Sequence, residues 1–316
     1  MIDNSKIKAA LELLALPSPT TAIDDPILDK AGVELIFKRD DLIHVEVSGN
    51  KWRKLALQLE QAISENKDTI LTYGGAFSNH IYATAAACNL LGLKSIGIIR
   101  GRYVDLKNPT LAFAQSKSMQ LICKDKGKYA LEKKTSFSEK FPEAFSIPEG
   151  GNNALGRAGI KVLAEELIGQ FPDEKIKLFV SIGTGCTFAG LVQYLSPNFE
   201  VIGINVLKNK GINEEVKEWI DNPEVKYEII HDYHFGGYAK TNKTLIDFAN
   251  KFILKHKIPL DPIYTSKMCY AIFDMIDKNQ IENGTKVVAL HTGGLQGVEG
   301  YNNLRKHKIV SLTKWT

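Results

Sequence analysis

The chain has 316 residues, 44% of them hydrophobic and 24% charged, which fits one large or two medium globular domains with a full core. Its 40 basic and 36 acidic side chains leave a net charge of +4, too small and too dispersed to indicate a nucleic-acid or anionic-membrane partner. The four cysteines, Cys88, Cys123, Cys186 and Cys269, stand far apart with no CxxC or His-rich cluster, so no metal site is expected and a reducing, cytoplasmic compartment is. "MIDNSKIKAALELL" lacks a basic stretch followed by an apolar run, and no segment reaches ~18 apolar residues, so neither a signal peptide nor a membrane span is expected.

In chain order, "VELIF" (33–37) predicts a strand. "KWRKLALQLEQAISENK" (51–67) predicts an amphipathic helix with Trp52, Leu55, Leu59 and Ile63 on one face. "TILTY" (69–73) reads as a strand, "SNHIYATAAACNLLG" (78–92) as an alanine-rich helix, "SIGIIR" (95–100) as the next strand. A helix over "PTLAFAQSKSM" and a strand over "QLICK" follow. The stretch 123–151 is the least regular, rich in charge and proline, and suggests a boundary near residue 150. Beyond "EGGNNALGRAG" a long helix runs to about Phe171. Then come "LFVSI", the helix "TFAGLVQYL", the strand "VIGINV", the helix "NEEVKEWI", "YEII", helices over 241–255 and "SKMCYAIFDMI", and the late strand "KVVAL". Strands alternating with helices imply βαβ units and parallel sheets. A second junction near residue 45 gives an expected division into 1–45 with 155–316 as the larger domain and 46–154 as a smaller inserted one.

Three stretches carry candidate chemistry. In "LFVSIGTGCTFAGL" (178–191) a buried strand feeds a glycine-threonine loop and then a helix. Gly183 and Gly185 permit a tight turn that aims backbone N–H groups and the hydroxyls of Thr184 and Thr187 at one point, an arrangement suited to a phosphate. A strand-to-helix turn that uses glycine for packing alone gives the same pattern. "TYGGAFSNHIYATAA" (72–86) places Ser78, Asn79 and His80 at the start of a helix, where they can cap it or face a ligand at the carboxyl edge of a parallel sheet. "VEVSGNKWRKL" (45–55) puts Lys51 at a helix start, where the dipole disfavours a cation and lowers the pKa of the amine. A solvated surface lysine is the plain alternative. "LHTGGLQG" (290–297) and "DPIYTSKM" (261–268) add His291, Thr292 and Tyr264, each with an equally ordinary structural use.

Taken together, an amine, a phosphate nest, a Ser-Asn-His helix start, a threonine and a tyrosine describe a pyridoxal phosphate site. From "KRDDL" (38–42) through "SGNKWRKL", "GGAFSNH", "EGGNNALG", "GTGCTFAG" and "IYTSKM" to "HTGG", the chain resembles the tryptophan-synthase-β-like enzymes. Within them it resembles the 1-aminocyclopropane-1-carboxylate deaminase and D-cysteine desulfhydrase family. That resemblance implies an α/β fold of two open, twisted, mostly parallel-sheet domains with pyridoxal phosphate in the cleft, in a homodimer. It implies that Lys51 carries the cofactor covalently and, once released, acts as general base. Asn79 holds the ring hydroxyl, the loop Gly183, Thr184, Gly185, Cys186 and Thr187 holds the phosphate, and Thr292 meets the ring nitrogen. Ser78 meets the substrate carboxylate or helps move a proton. Asn79 and His80 stand beside it at the substrate, and Tyr264 faces it.

The implied reaction is β-elimination from a small amino acid, D-cysteine above all, giving pyruvate, sulfide and ammonia. The deaminase activity is the alternative. Three residues depart from the family's pattern. Ala289 stands where the deaminases carry a tyrosine two residues before the histidine of HxGG, Phe77 where glutamine is frequent, and Cys186 in place of a loop glycine. Two rivals remain: a nicotinamide dehydrogenase using the loop at 183–187, although its third glycine would fall at Phe188, and a protein that keeps pyridoxal phosphate without catalysis.

Overall fold

A computed structural model describes residues 12–135 and 140–312. Its described strands are β1 (Thr20–Ile23), β2 (Glu34–Lys38), β3 (Thr69–Gly75), β4 (Lys94–Arg100), β5 (Gln120–Lys124), β6 (Ala144–Ile147), β7 (Ile176–Ile182), β8 (Phe199–Asn205), β9 (Lys226–Ile230) and β10 (Lys286–Leu290). They form two sheets, ordered β1-β2-β10-β7-β8-β9 and β5-β4-β3-β6. Every neighbouring pair is parallel except β1 on β2. Parallel pairing requires crossovers, and helices supply them on both faces of the larger sheet, so its central strands β7 and β8 are buried except at Lys177 and Glu200. Successive residues of β7 alternate between two apolar clusters: Phe179 packs with Phe37 and Ile272, Leu178 and Val180 with Ile36 and Val288.

The strand orders also place a crevice. From β7 the larger sheet grows outward through β8 and β9, while β10 lies on the other side of β7. In the smaller sheet β4 and β6 flank β3 on opposite sides. Loops leaving the carboxyl ends of such strands diverge and leave room for a ligand. The loops after β7, β10 and β3 are those that begin at Gly183, His291 and Ala76.

The helix Asn50–Ser64 is fastened between the sheets by buried ions. The Arg53 guanidinium meets Asp40 at 2.9 Å and Glu166 at 2.6 Å, and Lys38 meets Glu166 at 2.8 Å. The Ser18 hydroxyl donates to Asp40 at 2.6 Å, and Lys38 donates to the Ser18 carbonyl at 2.6 Å. Burial alone would raise the Glu166 carboxyl, but hydrogen bonds from Arg53 and Lys38 hold it below its ordinary value.

One expectation is revised. The stretch 123–151 contains the helix Lys126–Thr135 and the strand β6; lysine-rich and weakly apolar, it lacks the periodicity that would reveal them. The helix expected beyond "EGGNNALGRAG" is Lys161–Gln170, and a short helix, Ala154–Ala158, lies within that motif. Any side chain at Gly159 would collide with the Arg53 carbonyl, so glycine stands where the chain crosses the Asn50–Ser64 helix. Among the described residues no helix is long and apolar enough to cross a membrane, and no metal-binding group of His, Cys, Asp or Glu is found.

Replacing Arg53 with methionine leaves Asp40 a buried charge without its cation and Glu166 with Lys38 alone. This is expected to cost about 3–5 kcal/mol in denaturant unfolding, whereas removing the exposed Lys243–Asp247 pair should change the midpoint little. Equal effects would mean that the buried cluster does not fasten the helix.

Candidate functional site

A cavity of about 630 Å³ opens between the carboxyl ends of the two sheets, lined by Lys51, Ser78, Asn79, His80, Gly183–Thr187, Tyr264 and Thr292 among others. The residues singled out in the sequence are thus brought together from separate segments.

Lys51 is the second residue of its helix. Gly49 before it has φ +67°, and a Cβ there would strike the Thr292 carbonyl oxygen. The Asn50 N–H donates to that same oxygen at 3.3 Å. Close approach of two backbones therefore requires glycine at 49 and sets the height of the helix start over Thr292. The Lys51 Nζ donates to Asn50 Oδ1 at 3.2 Å, and Asn50 Nδ2 donates to Thr187 Oγ1 at 2.9 Å. Burial, and then the charge of Lys54, push the Lys51 amine down to about 7, against the opposing influence of Cys186 and Asp261.

The loop after β7 turns at Gly185, φ +80°, and leads into the helix Cys186–Tyr194. No side chain caps that helix, so its first N–H groups remain available to an anion. Thr187 is buried beside Asn50, while Thr184 is exposed. Cys186 adopts the helical backbone, so its side chain brings no left-handed strain, and its buried thiol points to the Gly151 carbonyl at 3.7 Å.

Ser78 caps the helix Asn79–Leu91, accepting from the Ile81 N–H at 3.3 Å. It does this while lining the cavity, so capping and ligand contact share one hydroxyl. Asn79 Oδ1 accepts from Gln296 Nε2. Its amide lies where a side chain at Gly294, φ +92°, would stand. The His80 ring is buried and pairs through Nε2 with Thr72 Oγ1 at 2.7 Å. That hydroxyl donates to the Ile147 carbonyl at 2.9 Å, so Nε2 carries the proton and Nδ1 is an acceptor with no partner. Burial, with the charges of Lys51 and Lys54, holds its pKa well below the ordinary histidine value, so the ring is neutral.

Tyr264 precedes the helix Thr265–Asp277 and lies over the loop: a Cβ on Gly183 would sit 3.1 Å from its ring. Burial pushes its phenol well above the ordinary value, so it stays protonated, and its ring packs edge-on against that of Tyr238. Asp261 fixes this turn by accepting from the backbone N–H groups of Ile263, Tyr264 and Thr265 at 2.8–3.0 Å. His291 is a satisfied core residue. Its Nε2 faces the Pro259 carbonyl at 2.6 Å, and its Nδ1 accepts from the Gly293 N–H at 3.2 Å.

Several lining residues escape a reading of the sequence. Lys54 is buried one turn after Lys51, with its ammonium 3.4 Å from the Gly150 carbonyl; the i, i+3 spacing puts both lysines on one face and is legible in retrospect. Tyr238 and Arg100 also reach the cavity from positions with no local signal, and Asn152 reaches it from within "EGGNNALG". Ala289 lies outside the lining, fully buried in β10 opposite Phe37 and Phe179. Phe77 lines the cavity and fills the space that Gly300 leaves open.

The site fits pyridoxal phosphate on its own chemistry. It offers a buried amine lowered toward neutrality, a second ammonium and an uncapped helix start for a phosphate. It also has polar atoms lacking partners in the described structure, at His80 Nδ1, Asn152 Oδ1 and Ser181 Oγ. A dinucleotide fits less well, since Phe188, at the position of a third glycine, packs into the core against Gly203.

Comparison with known proteins agrees. Residues 14–293 match the family model described as pyridoxal-phosphate dependent enzyme. The chain is 31% identical to the bifunctional D-cysteine desulfhydrase/1-aminocyclopropane-1-carboxylate deaminase, mitochondrial, of Arabidopsis thaliana, covering 90% of this chain and 78% of that one. It is 28% identical to the D-cysteine desulfhydrase of Klebsiella pneumoniae, over 92% and 96% of the two chains. The crystal structure of an ACC deaminase homologue superposes with a TM-score of 0.78 at 28% identity, over 95% of this chain and 98% of that chain. The nicotinamide reading is therefore set aside, and the chain belongs to the pyridoxal-phosphate dependent enzymes of the tryptophan-synthase-β-like fold.

Proposed function

We propose that the protein is a deaminating lyase that eliminates the β-substituent of a small amino acid, D-cysteine being the preferred substrate. The observation that carries the reading is the buried Lys51 amine, near neutrality, sharing one cavity with the uncapped loop Gly183–Thr187. Pyridoxal phosphate, when bound, supplies an electron sink that weakens the bonds to the substrate Cα.

The chain's residues take the remaining tasks. Lys51 would hold the cofactor through its amine, and the same amine would take the substrate's Cα proton; an amine with a pKa near 7 is matched to that work at neutral pH. The N–H groups of Gly183–Thr187 and the threonine hydroxyls hold the phosphate. Asn79, fixed by Gln296, takes the ring hydroxyl, and Thr292 takes the ring nitrogen. Ser78 offers its hydroxyl to the substrate carboxylate. The neutral His80 supports that edge of the site from behind, and the protonated phenol of Tyr264 faces the side chain that leaves. Water completes the balance: D-cysteine and water give pyruvate, hydrogen sulfide and ammonia.

Ala289 favours this reaction over opening of a cyclopropane ring, because no phenol reaches the cavity from β10. The two sheets support a division into 1–45 with 155–316 and 46–154, since each sheet draws its strands from one of these parts. A homodimer in the cytoplasm completes the reading, the latter in keeping with four free cysteines.

Purified holoenzyme given D-cysteine is expected to release sulfide and pyruvate in equal amounts, and given 1-aminocyclopropane-1-carboxylate to release little 2-oxobutanoate. The reverse preference would assign the deaminase activity, and silence toward a panel of D- and L-amino acids would leave a cofactor-binding protein without catalysis. The lowered amine has its own consequence. A lysine is nucleophilic only when neutral, and Lys51 becomes so as pH rises through about 7 rather than 10.5. The rate at which cofactor-free protein captures pyridoxal phosphate, followed by absorbance, should climb across that range and level off above it. A rate still climbing at pH 9 and beyond would contradict the burial argument.

A further inference from the structure

The helix that follows Tyr264 carries a lysine the site does not use. Lys267 is fully buried. A buried ammonium ordinarily meets a carboxylate, yet among the described residues none pairs with it. Its Nζ instead donates to three backbone carbonyls, His234 at 2.8 Å, Gly237 at 2.9 Å and Val206 at 3.4 Å. An ammonium has three N–H donors, so the three oxygens use them all. Burial lowers its pKa to about 8, with Asp261 opposing, and the group is still mostly charged at neutral pH.

The acceptors identify what is being held. Val206 directly follows β8, whereas His234 and Gly237 belong to the strap 231–242 between β9 and the helix Lys243–His256. This strap turns through left-handed backbone at Phe235, Gly236, Gly237 and Ala239, with φ of +52°, +96°, +111° and +54°. Two of these residues are not glycine, a conformation that persists only where surroundings enforce it. At the tip stands Tyr238, which lines the cavity and packs edge-on against Tyr264, with ring centroids 6.4 Å apart. Lys267 is three residues beyond Tyr264 on its helix, so one ammonium couples the two tyrosine-bearing segments.

We propose that Lys267 is a positioning residue, its ammonium caged by three carbonyls so that the strap presents Tyr238 to Tyr264 and narrows the substrate side of the cavity. The role of Tyr238 rests on the reading of Tyr264 as substrate-facing; the caging of the strap does not. Tyr238 thereby becomes a substrate-affinity residue that reaches the site from a segment far from the other motifs.

The test uses the Lys267→Met holoenzyme, which keeps chain length and removes the charge. Hydrogen exchange in residues 231–242 is expected to quicken while the visible absorbance of the bound cofactor is retained. KM for D-cysteine is expected to rise about tenfold, more than kcat falls. Unchanged exchange in the strap, or a fall in kcat with KM unmoved, would overturn the proposal. Should that variant fail to fold, Tyr238→Ala decides: a raised KM with the cofactor absorbance intact upholds the role of the strap, and an unmoved KM refutes it. If the wild-type enzyme turns over no small amino acid, the lyase reading fails, and strap exchange in Lys267→Met alone judges the caging.

Discussion

One backbone contact sets the geometry of the site: the start of the Asn50–Ser64 helix resting on the carbonyl of Thr292. Only glycine at 49 permits that approach, and the Asn50 N–H bonds the same oxygen. The contact joins the segment leading into the smaller sheet to the loop after β10 of the larger one. Four residues on, Arg53 holds the helix from behind through Asp40 and Glu166. Between these two fixed points Lys51 has little freedom in where its Cα lies, and its amine enters the cavity near the loop after β7.

Electrostatics then follow from placement. Two lysines one turn apart face the same cavity, and burial first, then the charge of Lys54, makes a cation at Lys51 costly. Lys51 responds by losing its proton near neutrality. Lys54, beside the Gly150 carbonyl, and the uncapped helix start at Cys186 leave a region of positive potential suited to a phosphate. Asp261 is nearby, but its carboxylate is engaged by backbone N–H groups of the turn that carries Tyr264. The same carboxylate thus orders the tyrosine turn and opposes the fall in the Lys51 pKa.

Much of this was legible in the residues. The alternation of apolar runs and amphipathic stretches gave the parallel α/β class, and Lys51, Ser78, Asn79, the Gly183–Thr187 loop, Tyr264 and Thr292 converge on one cavity. What the sequence hid was of two kinds. Elements with weak apolar periodicity, such as Lys126–Thr135 and β6, offered no pattern, and the need for glycine at 159 answers to a helix packed across it. Site residues reached through tertiary structure alone, Tyr238 on its strap and Arg100 at the end of β4, carry no local mark of their use. Lys54 lay in plain view at helical spacing from Lys51, but its burial depends on how the helix is seated.

The most direct test of the account is chemical. Borohydride reduction of the holoenzyme followed by peptide mapping should place the phosphopyridoxyl group on Lys51, and the Lys51→Ala protein should be colourless and take up none. A label on Lys54, one turn away in the same cavity, or on any other lysine, would show that the amine lowered by burial is not the one that holds the cofactor, and the account would fail.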